Sequence, residues 1–275
     1  MIDLHTHTTA SDGSLTPKEI VLKAKQIGIT ILGITDHDTI NGVEKAIKIG
    51  RENGIKIIPG VELGTDYNNF ETHILGYFNE NNYKNIKDYF DWILEKRYLR
   101  NLQMIQNLQN ANFDITIEEV LKKADGGTPG RPHIAQLLVE KGYANSIGET
   151  FNKILLRKDI FIKREKTTSE SAIKAILKAG GIPVFAHPIY LDKENKFEEA
   201  LKNFISYGLQ GIEVFHSDHT KRHTKKYIKS AKVNNLLITG GSDFHGENKD
   251  GVLLGGVKVD NELVEAFIKK IDGKN

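Results

Sequence analysis

No cysteine occurs among the 275 residues. Disulfides, thiolate metal sites and cysteine nucleophiles are therefore excluded, and any metal must be held by nitrogen and oxygen. No apolar run approaches the roughly 20 residues that a membrane helix needs. The opening Ile2, Asp3, Leu4 lacks the basic and apolar regions of a signal peptide, so a cytoplasmic protein with no membrane partner is expected. Neither sign of charge dominates: 38 basic residues stand against 36 acidic ones, for a formal net charge of +2. That balance neither demands nor excludes a nucleic-acid partner. Low-complexity tracts and repeats of solenoid length are absent, and nothing points to an obligate protein partner.

What is present is enough apolar residue, 39%, for a sizeable core. Short β-rich runs recur at 29–35, 55–61, 181–186, 211–215, 236–239 and 252–257, each followed by polar residues and usually by a helical pattern. This alternation predicts parallel strands in an α/β fold. Thr16, Pro17 and Glu19 read as N-cap, first helical position and capping-box partner of a first helix that Gly28 closes. Further helices are expected over 41–50 and 169–180. Between 81 and 166 the rhythm stops. Phe90, Ile93, Leu94, Leu102, Ile105 and Leu108 follow helical spacing over 89–109, which predicts an all-helical insertion (81–166) dividing a domain made of 1–80 and 167–275. The insertion holds 15 basic and 11 acidic residues, making it the more anion-friendly part.

Nearly every apolar run ends in a histidine or a carboxylate. His5, His7 and Asp12 follow the first; Asp36, His37 and Asp38 the second; Glu62 the third. His73 lies in a ribbon-like stretch, 72–77. Then come His187 before Pro188, Glu213 with His216, and Asp243 with His245. If the strands run parallel in a barrel, these residues converge on one mouth. One such histidine is most simply a packed or surface group, but burying this many imidazoles and carboxylates together without a cation carries a heavy desolvation cost. Their repetition implies metal.

His5, Thr6 and His7, the stretch Thr35 to Asp38, Glu62, Ala186 to Pro188, and Ser242 to His245 resemble the motifs of the PHP (polymerase and histidinol phosphatase) superfamily of metal-dependent phosphoesterases, over nearly the whole chain. The resemblance is to its nucleotide and oligonucleotide phosphoesterases. It implies an α/β fold, a distorted TIM-like barrel of seven β/α units with a helical insertion, and a trinuclear centre. Carried over, His5, His7, Glu62 and Asp243 would hold one ion. Glu62 would bridge to a second with His73 and His187, and Asp12, His37 and His245 would hold a third. Asp36 and Asp38 read as groups that orient imidazoles. Manganese, iron or zinc suits such ligands, with magnesium also admitted.

The expected reaction is phosphate-ester hydrolysis by a metal-bridging hydroxide. His216 would be the proton donor to the leaving group or a hydrogen-bond partner of the phosphate. His219 and His223, four apart in a basic stretch, read as a solvated face. Arg131, before Pro132 and His133 at a helix start after the 126–130 loop, is a candidate phosphate ligand through the resemblance; Arg164 is another. A walled site with extra arginine suits a 3′,5′-bisphosphate nucleotide or the 5′ end of a short RNA. Histidinol phosphate is the rival substrate. An amidohydrolase-type enzyme or a metal-binding regulatory module without turnover are the more distant alternatives.

Overall fold

The computed structural model describes residues 1–124, 130–162 and 167–273. Residues 126–129 of the loop before Arg131, and Arg164 itself, lie outside the described residues. The described chain forms two compact units, one of residues 1–87 and 167–275, the other of 88–166. In chain order the elements are β1 (Ile2–Asp3), α1 (Pro17–Gln26), β2 (Ile31–Ile34), α2 (Val43–Asn53), β3 (Lys56–Tyr67) and β4 (Phe70–Tyr77). Then come α3 (Lys87–Asn110), α4 (Ile117–Ala124), α5 (Arg131–Glu140) and α6 (Ile147–Thr150). The remainder is α7 (Ser169–Lys178), β5 (Ile182–Phe185), α8 (Ile189–Lys193), α9 (Phe197–Tyr207), β6 (Gly211–Phe215), α10 (Lys221–Val233), β7 (Leu237–Gly240) and α11 (Asn261–Ile271).

The second unit has its own core, built from Met104, Ile105 and Leu108 of α3, Val120 of α4, Ile134 and Leu138 of α5, and Leu155 and Ile160 beyond α6. In the first unit the seven strands lie in sequence order in one sheet, with helices around it. Leu4, Leu32, Ile34, Val61, Ile74, Val184 and Ile212 are fully buried, as expected of strands covered on both faces. Thr16 and Glu19 make the full capping box on α1. Among the described residues no helix is long and apolar enough to cross a membrane.

The sheet nearly closes into a barrel where its first and last strands meet. The Leu4 N–H donates to the Gly240 carbonyl at 3.1 Å, that of Asp243 to His5 at 2.9 Å, and that of His7 to Phe244 at 2.9 Å. The side chain of Asp3 fastens this seam. Its Oδ1 accepts from the Ser242 N–H at 2.8 Å, and its Oδ2 from the Ser242 hydroxyl at 2.6 Å and the Gly255 N–H at 2.8 Å. Burial pushes the Asp3 carboxyl up, and these donors pull it partway back.

Two expectations from periodicity change. The third run does not stop at Val61: β3 continues through Glu62 to Tyr67 and returns as β4, antiparallel to both β3 and β5. Asn68 and Asn69, both at positive φ, form the two-residue turn, the kind of turn that matches the twist of a hairpin. Residues 252–257 are not a strand. Gly251 and Gly255 have φ of 76° and 68°, and the Gly255 N–H goes to Asp3 instead of to a ladder.

Replacing Asp3 with Asn points an amide NH2 at donors that need an acceptor. The expected result is a lower urea midpoint, equivalent to about 1–3 kcal/mol, measured by circular dichroism on otherwise identical protein.

Candidate metal centre

Backbone geometry delivers the side chains. His5 and His7 are two apart on an extended segment, so both face the barrel interior. Glu62 and His73 sit on one face of the β3–β4 hairpin, because Glu62 pairs with Leu75 and Gly64 with His73, which makes the two diagonal neighbours. Asp38, His187 and Asp243, each just past a strand, hold φ of 52°, 26° and 58°. Such conformations cost about 1–3 kcal/mol each in non-glycine residues and cluster where function requires them. Gly241 packs so tightly on this segment that a Cβ there would lie 2.3 Å from the His5 nitrogen.

Glu62, almost fully buried, is the hub. Its Oε2 lies 3.0 Å from His5 Nε2, 3.1 Å from His7 Nε2 and 3.5 Å from His37 Nε2. Its Oε1 lies 2.8 Å from both His73 Nδ1 and His187 Nε2. Asp243 Oδ1 stands 3.4 Å from His5 Nε2 and 3.2 Å from His7 Nε2. Three groups have potential ligand atoms all within 4.8 Å of one another: His5, His7, Glu62 and Asp243; His7, Asp12, His37 and His245; and His37, Glu62 and His73. His187 reaches the hub without joining the third group's mutual distances. All nine residues named from the sequence thus meet in one place.

Hydrogen bonding alone does not satisfy them. Both ring nitrogens of His7 and the Oδ1 of Asp243 are buried without a hydrogen-bond partner, although Glu62 Oε2 and Asp243 Oδ1 stand 3.1 and 3.2 Å from His7 Nε2, and Asp12 Oδ1 stands 3.6 Å from its Nδ1. Leaving such atoms bare costs about 1–3 kcal/mol each. A cation between them would supply the partner, and a nitrogen and oxygen donor set without sulfur fits a divalent metal ion.

Tautomers agree with this. His5 Nδ1 lies 2.9 Å from Glu213 Oε1, and His245 Nδ1 lies 3.0 Å from the Asp243 carbonyl. In each, an acceptor holds the proton on one nitrogen and leaves the lone pair of the other directed at the cluster. Burial also keeps His37, His187 and His245 below the usual imidazole range. At Glu62 burial opposes charge, but His5 and His73 beside it hold the carboxyl well below its usual range.

His216 is built the other way round. Its side chain is fully buried, its Nδ1 accepts the Asp218 N–H at 3.1 Å, and its Nε2 lies 3.3 Å from Asp243 Oδ2. Both of its nitrogens thus face protein groups, one of them the carboxylate of Asp243. Lys249 Nζ donates to the same Oδ2 at 2.6 Å. The two oxygens of Asp243 are therefore divided, Oδ2 anchored outward and Oδ1 directed inward.

Some placements differ from the sequence reading. Asp36 accepts from Thr8 and Ser11 and so pins the loop carrying Asp12, instead of orienting an imidazole. Asp38 accepts the Gly64 N–H at 3.3 Å. His219 is half-buried, its Nδ1 2.8 Å from the Val214 carbonyl; His223, against Thr220 at the start of α10, is a helix-end group. Glu213 is visible in the sequence as a strand-end carboxylate but not as a working part. It is fully buried, meeting His5 and accepting the His187 N–H at 2.7 Å. Arg131 begins α5 in the second unit, its guanidinium 5.8 Å from the Phe151 ring centre, and His133 Nδ1 accepts the Gly130 N–H of its own helix start.

A strand barrel whose mouth gathers buried imidazoles around a shared carboxylate defines a metal-dependent hydrolase class, and comparison with known proteins gives the family. Residues 3–214 match the PHP domain, and the chain belongs to that family. It is 34% identical to the 5′-3′ exoribonuclease Rnm of Salmonella typhimurium, over 88% of this chain and 84% of that protein. It is 30% identical to the 3′,5′-nucleoside bisphosphate phosphatase of Chromobacterium violaceum, over 91% and 89%. A structure from Bifidobacterium adolescentis, described as a presumed metal-dependent phosphoesterase, superposes with a TM-score of 0.67 at 30% identity, covering 97% of this chain and 95% of that one.

Glu213→Gln removes the charge that holds the His5 proton but keeps the shape. Metal affinity measured by chelator competition is expected to fall about 10- to 100-fold, with an unchanged circular-dichroism spectrum.

Proposed function

We propose that the protein is a metal-dependent phosphoesterase that hydrolyses phosphate esters of nucleotides, either 3′,5′-bisphosphates or the 5′ ends of short RNA. The observation that carries this reading is Glu62, a buried carboxylate whose two oxygens are ringed by five imidazoles. The names of the relatives, an exoribonuclease and a nucleoside bisphosphate phosphatase, support the substrate class.

In this proposal His5, His7, Asp12, His37, Glu62, His73, His187, Asp243 and His245 hold three divalent ions, with manganese, iron or zinc favoured by the mixed donors and magnesium admitted. Bound ions of this kind acidify water and neutralise the oxygens of a phosphoryl group. The chain's own contribution is to fix the donors. Glu213 sets the His5 tautomer, Asp36 pins the loop of Asp12, and His216 with Lys249 turns Asp243 inward. Excluding water from the His5, His7 and Glu62 side makes each charge there act more strongly. Arg131 and Arg164 are the proposed ligands for a second phosphate, since a guanidinium offers a planar pair of donors to its oxygens. The helical unit that carries them is the proposed insertion domain.

The test is phosphate release in manganese from a 3′,5′-bisphosphate nucleotide, a short 5′-phosphorylated RNA and histidinol phosphate. The nucleotide substrates are expected to exceed histidinol phosphate in kcat/KM. His37→Ala and Asp243→Ala are each expected to lose about 10³-fold or more, the several kcal/mol that metal stabilisation supplies. Unchanged rates in either variant, or preference for histidinol phosphate, would overturn the assignment.

A further inference from the structure

Helix α10 differs from the other helices of the first unit in its charge. From His219 to Ser242 the chain carries Lys221, Arg222, Lys225, Lys226, Lys229 and Lys232 and no carboxylate, whereas α1, α2, α7, α9 and α11 all mix the two signs. Lys226 is paired, 2.5 Å from Asp192. The other five cations are exposed and form no ion pair among the described residues. At about 100° per residue they fall within an arc of about 100°. Tyr227 and Ala231, on the opposite side, are buried. The stripe from Lys221 to Lys232 is about 16 Å long, with Lys221, Lys225 and Lys229 following one another at intervals of about 6 Å.

This arrangement works against the helix itself. Lys221 and Arg222 stand in its first turn, where the backbone dipole favours anions, and no acid is present there. Lys221 with Lys225, and Lys225 with Lys229, are like charges four residues apart, which repel. Solubility does not require it, because glutamate serves that purpose at least as well. A polyanion lying along the stripe reverses the sign of each of these unfavourable terms.

The position of the stripe suits the site. His216 stands behind Asp243, the His219 N–H donates to the His216 carbonyl at 3.0 Å, and Thr220 then caps α10. The stripe therefore begins beside the metal centre and leads away from it.

We propose that α10 is the track for a single-stranded RNA substrate whose 5′ phosphate lies in the metal centre. The inference rests on the phosphoesterase reading and deepens it: the chain is built for an oligonucleotide, since a mononucleotide is too short to extend along the stripe. The stripe meets phosphates and so acts independently of base sequence.

The experiment compares the metal-loaded wild type with a variant carrying Lys225→Gln, Lys229→Gln and Lys232→Gln, which are exposed changes at good helical positions. The ratio of kcat/KM for a 5′-phosphorylated ten-nucleotide RNA to that for a 3′,5′-bisphosphate nucleotide is expected to fall about tenfold at low salt. The slope of log affinity against log salt, read by fluorescence anisotropy of a phosphorothioate decamer, is expected to become shallower by about 2, at roughly 0.7 for each phosphate that no longer meets a lysine. Equal ratios and equal slopes in the two proteins overturn the proposal and would assign the stripe to an acidic protein surface instead. If neither substrate turns over, the phosphoesterase reading fails, while the anisotropy slope still decides whether α10 binds RNA.

Discussion

The structure depends on a carboxylate that has been placed where a carboxylate is costly. Glu62 lies inside the barrel with almost no exposure, and an isolated charge there would be neutralised or expelled. It stays because imidazoles from four other segments close around it, and because one of them, His5, is in turn held by the buried carboxylate of Glu213. The first unit can be understood as scaffolding for that convergence. Its sheet brings His5 and His7, just after the first strand, against Asp243 and His245, just after the last, across the seam that Asp3 fastens.

The same constraint explains where the backbone is strained and where it cannot vary. Asp38, His187 and Asp243 take conformations that favour glycine or asparagine, which re-aims their side chains just after a strand. Gly241 has no room for a side chain against His5. Even the division of roles among histidines follows from hydrogen bonding. His5 and His245 have an acceptor at the nitrogen facing away from the cluster, whereas His216 has a donor there and turns its remaining proton to Asp243.

Much of this is legible because strand ends announce themselves. Each apolar run that stops at a histidine or an acid marks a side chain at the barrel mouth, and capping residues such as Thr16 and Glu19 set the first helix. Less is legible where a contact joins distant parts of the chain. Glu213 and His5 are 208 residues apart, and Asp3 and Ser242 are 239 apart, so no local pattern distinguishes these carboxylates from others at strand ends. Periodicity also puts the end of β3 at Val61, because an acid after an apolar run reads as a stop; burial of Glu62 by the imidazoles lets the strand continue. The run 252–257 has strand-like residues, but Asp3 takes the Gly255 N–H that a ladder would need.

The central claim is that cations occupy the space between Glu62, the histidines and Asp243, and anomalous diffraction from crystals of manganese-loaded protein tests it most directly. Peaks are predicted within coordination distance of both Glu62 oxygens and of His7 and Asp243 Oδ1. Manganese bound elsewhere, with Glu62 closed up against its histidines and no peak beside it, would contradict the claim.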